Sequence, residues 1–273
     1  MKKIAYYPGC TIKETDIEVE NSTRAFLKEL GYELDEMEDW TCCGTVYGMA
    51  SDDLYHQLAP VRNMIRCRKI SDRMLTLCDM CYNTFRRADL FMEDLDNRKK
   101  IDSFMDQEED YTKIEVYHIL NFLRDVVGYK KIEEKVVRRL DLKAMPYYGC
   151  MLLRPKEVAI DNQENPRVMQ EILSLLGIES VDSGLTDECC GSYHVLENPE
   201  IVRRKSLEIT GNARANSADC LVLTCPLCHY NISKFGLLPI YYLSDLIAYS
   251  FGVSDIDPDI GVGIEVGARE GET

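Results

Sequence analysis

Several things are missing from this chain of 273 residues, and each absence narrows its chemistry. No apolar run is long enough for a membrane-spanning helix: the most apolar stretch, Gly236 to Val253, is short and interrupted by Ser244 and Asp245. The opening MKKIAYYPGC enters a strand-like run without the apolar stretch and small-residue cleavage site of a secretory signal, so a cytoplasmic protein with no direct membrane insertion is expected. Basic residues are scarce, 32 against 47 acidic, and the resulting charge of −15 disfavours nucleic acid or an anionic membrane as partner. There is no glycine fingerprint near the start for a dinucleotide and no compact ferredoxin run of cysteines for an ordinary cubane cluster.

Cysteine, by contrast, is abundant. A cytosolic chain keeps its thiols reduced, so twelve cysteines point to metal or redox chemistry and not to six bridges. Ten of them fall into two sets of the same order: a lone cysteine, an adjacent pair, then CxxC. The first set is Cys10, Cys42, Cys43, Cys78 and Cys81; the second is Cys150, Cys189, Cys190, Cys225 and Cys228. From pair through CxxC the two sets are offset by a constant 147 residues. Tyr6-Tyr7-Pro8-Gly9 and Pro146-Tyr147-Tyr148-Gly149 precede the lone cysteines, and Gly44 and Gly191 follow the pairs. Cys67 and Cys220 face Arg214 and Arg73 at that offset and are expected to be core thiols.

Between the cysteines, strand-like and helical patterns alternate. Lys3 to Tyr7 opens as a strand, and Ala25, Phe26, Leu27 and Leu30 mark a helix stopped at Gly31. Asn165-Pro166 is expected to open the counterpart helix, whose apolar face is Met169, Ile172, Leu173 and Leu176. Met74 to Leu77 and Leu221 to Thr224 read as strands running straight into Cys78 and Cys225, with helical sequence after each CxxC. Such alternation predicts an α/β fold with parallel strands and ligands gathered at their carboxyl ends. The expected organisation is a first domain over 1–128 with a charged insertion near 94–112, a connecting helix over 129–144, a second domain over 145–253, and an acidic tail over 254–273.

Five thiolates per half exceed the four a structural zinc or a cubane takes. Soft sulfur ligands favour iron–sulfur chemistry, and zinc in one site is the lesser alternative. Two copies of this cysteine pattern, Tyr6 to Cys81 and Tyr147 to Cys228, resemble the CCG motifs in the B subunits of heterodisulfide reductases. The resemblance implies two pseudo-symmetric, Rossmann-like CCG halves with parallel sheets flanked by helices. It further implies that each quintet, used entire, binds one non-cubane [4Fe-4S] cluster. A small-molecule disulfide, such as the coenzyme M–coenzyme B heterodisulfide, would then be split to two thiols between the clusters. The partners it implies are the other two components of such a complex, a flavin-containing iron–sulfur subunit and a ferredoxin-like one.

Outside the cysteines, His194 and His229 lie beside the second pair and second CxxC, where a histidine can tune a cluster or deliver a proton. Lys13, Arg154 and Lys156 follow the lone cysteines and are candidate contacts to an anionic substrate. His56 and His118 are expected to be structural, and Trp40 to shield a cluster from water.

Overall fold

A computed structural model of the chain describes residues 1–45, 54–105 and 108–254. The first half alternates β1 (Lys2–Tyr7), α1 (Cys10–Thr15), α2 (Ile17–Glu29), β2 (Tyr32–Glu36), α3 (Leu54–Cys67), β3 (Arg73–Thr76), α4 (Asp79–Phe91), α5 (Leu95–Asp102), β4 (Glu115–His118) and α6 (Ile119–Phe122). After α7 (Tyr129–Glu133), the second half follows as β5 (Lys143–Pro146), α8 (Val168–Leu175), β6 (Glu179–Ser180), α9 (Pro199–Ala215), β7 (Cys220–Leu223), α10 (Pro226–Phe235), β8 (Ile240–Tyr242) and α11 (Leu243–Ser250).

Each half holds one four-stranded, wholly parallel sheet, ordered β2-β1-β3-β4 and β6-β5-β7-β8. Strands covered on both faces read as continuous apolar runs, as Ile4 to Tyr7 and Leu221 to Leu223 do, all buried. The predicted α/β class with two similar halves is the observed one. In both sheets the order reverses between the first and third strands, which is where crossovers diverge and leave a crevice at the strand ends. The lone cysteine follows the first strand and the CxxC follows the third. Chain topology alone therefore brings these cysteines together on either side of the switch point.

Two helix predictions need correction. The helix expected to open at Asn165-Pro166 begins at Val168, because the Arg167 and Val168 N–H groups donate to Asp161 Oδ2 at 2.5 and 2.8 Å, and Met169 N–H to the Tyr148 hydroxyl at 2.7 Å. The connecting helix expected over 129–144 is confined to Tyr129–Glu133. Beyond it the backbone donors turn outward: Val137 and Arg138 N–H bond Ser250 O, and Leu140 N–H bonds Leu176 O. Tertiary partners at the ends of α8 and α11 replace the helical ones. Within the charged insertion, α5 is capped by Asp94, whose side chain accepts from the Asp96 and Asn97 N–H groups; residues 106–107 of it and the tail from 255 lie outside the described residues.

The halves are joined by packing as well as by chain. Helix α11 of the second half lies on α2 of the first, with buried Phe26 and Phe251 meeting edge to face at 6.2 Å. Asn83 on α4 donates from Nδ2 to Met151 O and Arg154 O, both at 2.7 Å, and so fixes the segment after Cys150 against the first half.

Candidate metal centre

The ten paired cysteines form one array. In the first half Cys10 neighbours Cys42, Cys42 neighbours Cys43, and Cys81 stands between Cys43 and Cys78. In the second, Cys150 neighbours Cys189, Cys189 neighbours Cys190, and Cys228 stands 3.4 Å from Cys190 and beside Cys225. Cys78 and Cys225, one from each half, are neighbours too, so the quintets meet at the switch points. Cys67 and Cys220 stand apart from this array, fully buried, and burial pushes both thiols up to about 12, as core thiols require.

Local sequence explains how the array is held. Tyr7 and Tyr147, each three residues before a lone cysteine, are buried and donate their hydroxyls at 2.7 Å to Thr41 O and Glu188 O, the carbonyls just before the paired cysteines. Gly9 and Gly149 have φ of 75° and 61°, and a Cβ there would lie 3.2 Å from Cys81 Sγ or 3.5 Å from Cys228 Sγ. Only glycine allows both that backbone and that approach. In the first half Asn63 adds a two-point clamp on Thr41, accepting its N–H and donating to its carbonyl, both at 2.9 Å. Trp40 packs edge-on to Tyr7 at 5.7 Å and is partly buried on the core.

Thiolates are the metal-binding form of cysteine, and the array favours them at intervals. The Cys150 and Cys190 thiols, against the pull of burial, bring Cys189 down to about 2, helped by the Gly191 N–H 3.3 Å from its sulfur. Cys43 is lowered by Cys42 and Cys81, and Cys78 by Cys225 and Cys81. Their neighbours move up: Cys190 to about 11 beside Cys189, and Cys81 between Cys43 and Cys78.

Among the described residues no three His, Cys, Asp or Glu side chains converge on a point suited to one ion. Sulfurs that neighbour one another in succession fit a multi-iron group that reaches several of them better than a single tetrahedral ion. The donor set, all sulfur, has the matching softness.

The predicted histidines and cations are less concentrated. His229 is part-exposed, with Nδ1 3.4 Å from Asp16 Oδ1 and its ring 4.4 Å from that of Tyr242, whose hydroxyl donates to Asp16 at 2.8 Å. His194 is exposed on a short 3-10 turn, and its first-half counterpart, Tyr47, lies outside the described residues. Lys13 is held by Glu20 and Glu36 at 3.0 and 2.7 Å, and Arg154 by Asp187 at 2.5 Å, so neither presents uncompensated charge. Lys156 is exposed on another 3-10 turn.

Sequence reasoning missed the polar seam between the halves. Asp79, next to Cys78 and buried, accepts from Thr224 Oγ1 at 2.9 Å, and Thr224 immediately precedes Cys225. His118, fully buried at the end of β4, places Nε2 3.1 Å from the same carboxylate oxygen, off the line of a good hydrogen bond. Tyr242 ends β8 as His118 ends β4, and it too faces an aspartate. His118 and Tyr242 are each the third residue of the similar stretches VYHILNFL (116–123) and IYYLSDLI (240–247).

The family model for the cysteine-rich domain CCG matches residues 4–86 and 145–233. The chain is 28% identical, over 98% of its length and 94% of the relative's, to the B subunit of a ferredoxin:CoB-CoM heterodisulfide reductase of Methanosarcina mazei. Its identity to a protein of Archaeoglobus profundus named as similar to the heterodisulfide reductase B subunit is also 28%, covering 99% of this chain and 96% of that one. The same identity, over 92% and 93% of the two chains, relates it to the 8-methylmenaquinol:fumarate reductase membrane anchor subunit of Wolinella succinogenes. Among solved structures, a hypothetical protein from Helicobacter pylori superposes with a TM-score of 0.74 at 10% identity; 94% of this chain is covered, spanning half of that one. No helix among the described residues is long and apolar enough to cross a membrane.

Proposed function

The chain belongs to the cysteine-rich CCG domain family, its relatives mark it as an iron–sulfur redox subunit, and on that premise we propose that it is the catalytic subunit of a heterodisulfide reductase-like complex. In this reading it reduces a small-molecule disulfide to two thiols, or runs the reverse, with Cys10, Cys42, Cys43, Cys78 and Cys81 holding one non-cubane [4Fe-4S] cluster and Cys150, Cys189, Cys190, Cys225 and Cys228 the other. The observation that carries it is the meeting of the quintets at Cys78 and Cys225. When bound, the clusters would supply one-electron centres on both sides of a two-electron bond.

The chain's own residues prepare that place. Tyr7 and Tyr147 hold the loops that present the paired cysteines, and Asp79 and Thr224 tie the two CxxC helices across the seam. His229, set between Asp16 and the Tyr242 ring, is the proton donor of this reading, with His194 on its exposed turn as the second candidate. Electrons would come from a flavin-containing iron–sulfur subunit through a ferredoxin-like one.

The test is anaerobic purification of the full chain, iron and labile-sulfide counting, and electron paramagnetic resonance during thiol titration under mild oxidation. About eight irons and a thiol-dependent signal are expected; bound zinc without iron would sink the reading. The fumarate reductase relative, matched over nearly its whole length, favours a second reading in which the clusters only relay electrons. Eight irons with no response to any thiol would select it.

A further inference from the structure

Tyr193 lies three residues past Cys190, on the turn Ser192–His194, and reaches from there to both halves. Its hydroxyl stands 3.4 Å from the Met80 thioether and 3.6 Å from that of Met151. Met80 sits between Cys78 and Cys81, and Met151 directly follows Cys150. Both methionines are buried, and the Met151 carbonyl accepts from Asn83 of the first half. A part-buried O–H is thus aimed at soft sulfur, bracketed by ligands of the two quintets. Burial and the nearby cysteines push the Tyr193 phenol well above its ordinary value, which keeps the donor proton in place.

A thioether is a weak acceptor, whereas a thiolate draws a charge-assisted hydrogen bond of roughly twice the strength of a neutral one. Resting on the disulfide reading, we propose that Tyr193 is a sulfur-binding donor of the site: its O–H turns from Met80 and Met151 to a sulfur of the bound organic disulfide, and holds the thiolate formed there. The S–S bond breaks as two electrons arrive from the reducing partner protein, and two protons from solvent complete the thiols. Tyr193 forms no covalent bond and keeps its own proton. Its contribution is a donor already oriented toward the place where charge develops.

The experiment uses the full, iron-loaded chain, wild type and Tyr193→Phe, with mercaptoethanol titrated after mild oxidation and followed by electron paramagnetic resonance. The variant should keep its iron and its thiol-free spectrum, while the half-saturating thiol concentration rises about tenfold. Reduction of hydroxyethyl disulfide by a reduced viologen should lose a similar factor in kcat/KM. An unchanged half-saturation, or loss of iron from the variant, overturns the assignment. The double variant Met80→Leu, Met151→Leu keeps side-chain volume and removes both thioethers. Half-saturation near wild type there supports a direct role for the hydroxyl; a tenfold rise matching Tyr193→Phe would show that Tyr193 only braces the methionines, and would overturn it. A wild-type protein with no thiol response sinks the disulfide reading and this inference with it, whereas a normal wild type beside an unaltered variant sinks the inference alone.

Discussion

The two halves agree in their cysteines and tyrosine anchors and differ in several of the side chains around them. Both hold the pair through a tyrosine three residues before the lone cysteine, yet Asn63 doubles that anchor in the first half, while its counterpart Thr210 bonds Ser206 O and the Leu237 N–H instead. Cys10 and Cys42 are exposed, whereas Cys150 and Cys189 are only partly so. His118 meets Asp79, and its equivalent Tyr242 meets Asp16. A duplicated fold thus preserves the arrangement of the cysteines while placing two like quintets in unlike surroundings. Under the proposed function, two centres that take different ends of one disulfide need not be identical.

The largest effect expected from breaking that likeness comes from the ligands. Cys43→Ser and Cys190→Ser should each lower bound iron to about half, leaving the other quintet loaded and the far-ultraviolet circular dichroism intact. Loss of all iron from either variant would show that the halves load as one unit. Next in size is thiol reactivity in the metal-free chain. At mildly acidic pH, iodoacetamide should label Cys189 ahead of the more exposed Cys10, because Cys189 is held as thiolate while the Cys42 neighbour and burial push Cys10 up. The lead should shrink as pH rises; mass spectrometry of the labelled peptides reads it. Labelling that simply follows exposure would refute the shared-proton array.

A stability difference of order 1 kcal/mol should separate the two tyrosine anchors. Tyr147→Phe is expected to cost about 1–3 kcal/mol in urea unfolding, by removing a buried hydroxyl from Glu188 O. Tyr7→Phe should cost about 0.5–1.5 kcal/mol, because Asn63 still donates to Thr41 O. Equal costs would mean that the Asn63 clamp adds nothing.

What the sequence made legible follows from the same comparison. The constant 147-residue offset and the strand-like runs into each CxxC carried the α/β alternation, the repeat and the two cysteine sets, because chain direction and spacing decide which residues end a strand. Helix boundaries were less visible: Asp161 caps α8 from seven residues before Val168, and Ser250 O takes donors that a helix through 137 and 138 would have used. The seam was hidden for a similar reason. Asp79 with Thr224, Tyr193 with Met80, and Asp16 with Tyr242 are contacts between residues 113 to 226 positions apart, and no local pattern announces them. Lys13 and Arg154 were expected to meet substrate, but their charges are met by carboxylates that only the fold brings near.

The smallest expected effect concerns the two aspartates of that seam, whose titrations shift in opposite directions. Burial raises Asp79, and the contacts from His118 and Thr224 do not fully offset it. Burial also acts on Asp16, but there the contacts from His229, Thr15 and Tyr242 outweigh it and the net shift is downward. A lowered carboxyl stabilises the fold above its unfolded value, near 3.9, and loses that contribution as pH falls through the folded value. A raised one contributes only below the unfolded value, and its contribution disappears as pH climbs through the folded one. At neutral pH, Asp16→Asn should therefore destabilise the metal-free chain by about 1 kcal/mol, and Asp79→Asn by less, since an amide oxygen still accepts from Thr224 without the cost of a buried charge. Urea midpoints taken from pH 7 downward should bring the Asp16→Asn curve toward wild type below about pH 4. Parallel curves for both variants at every pH would remove the distinction between the two sides of the seam.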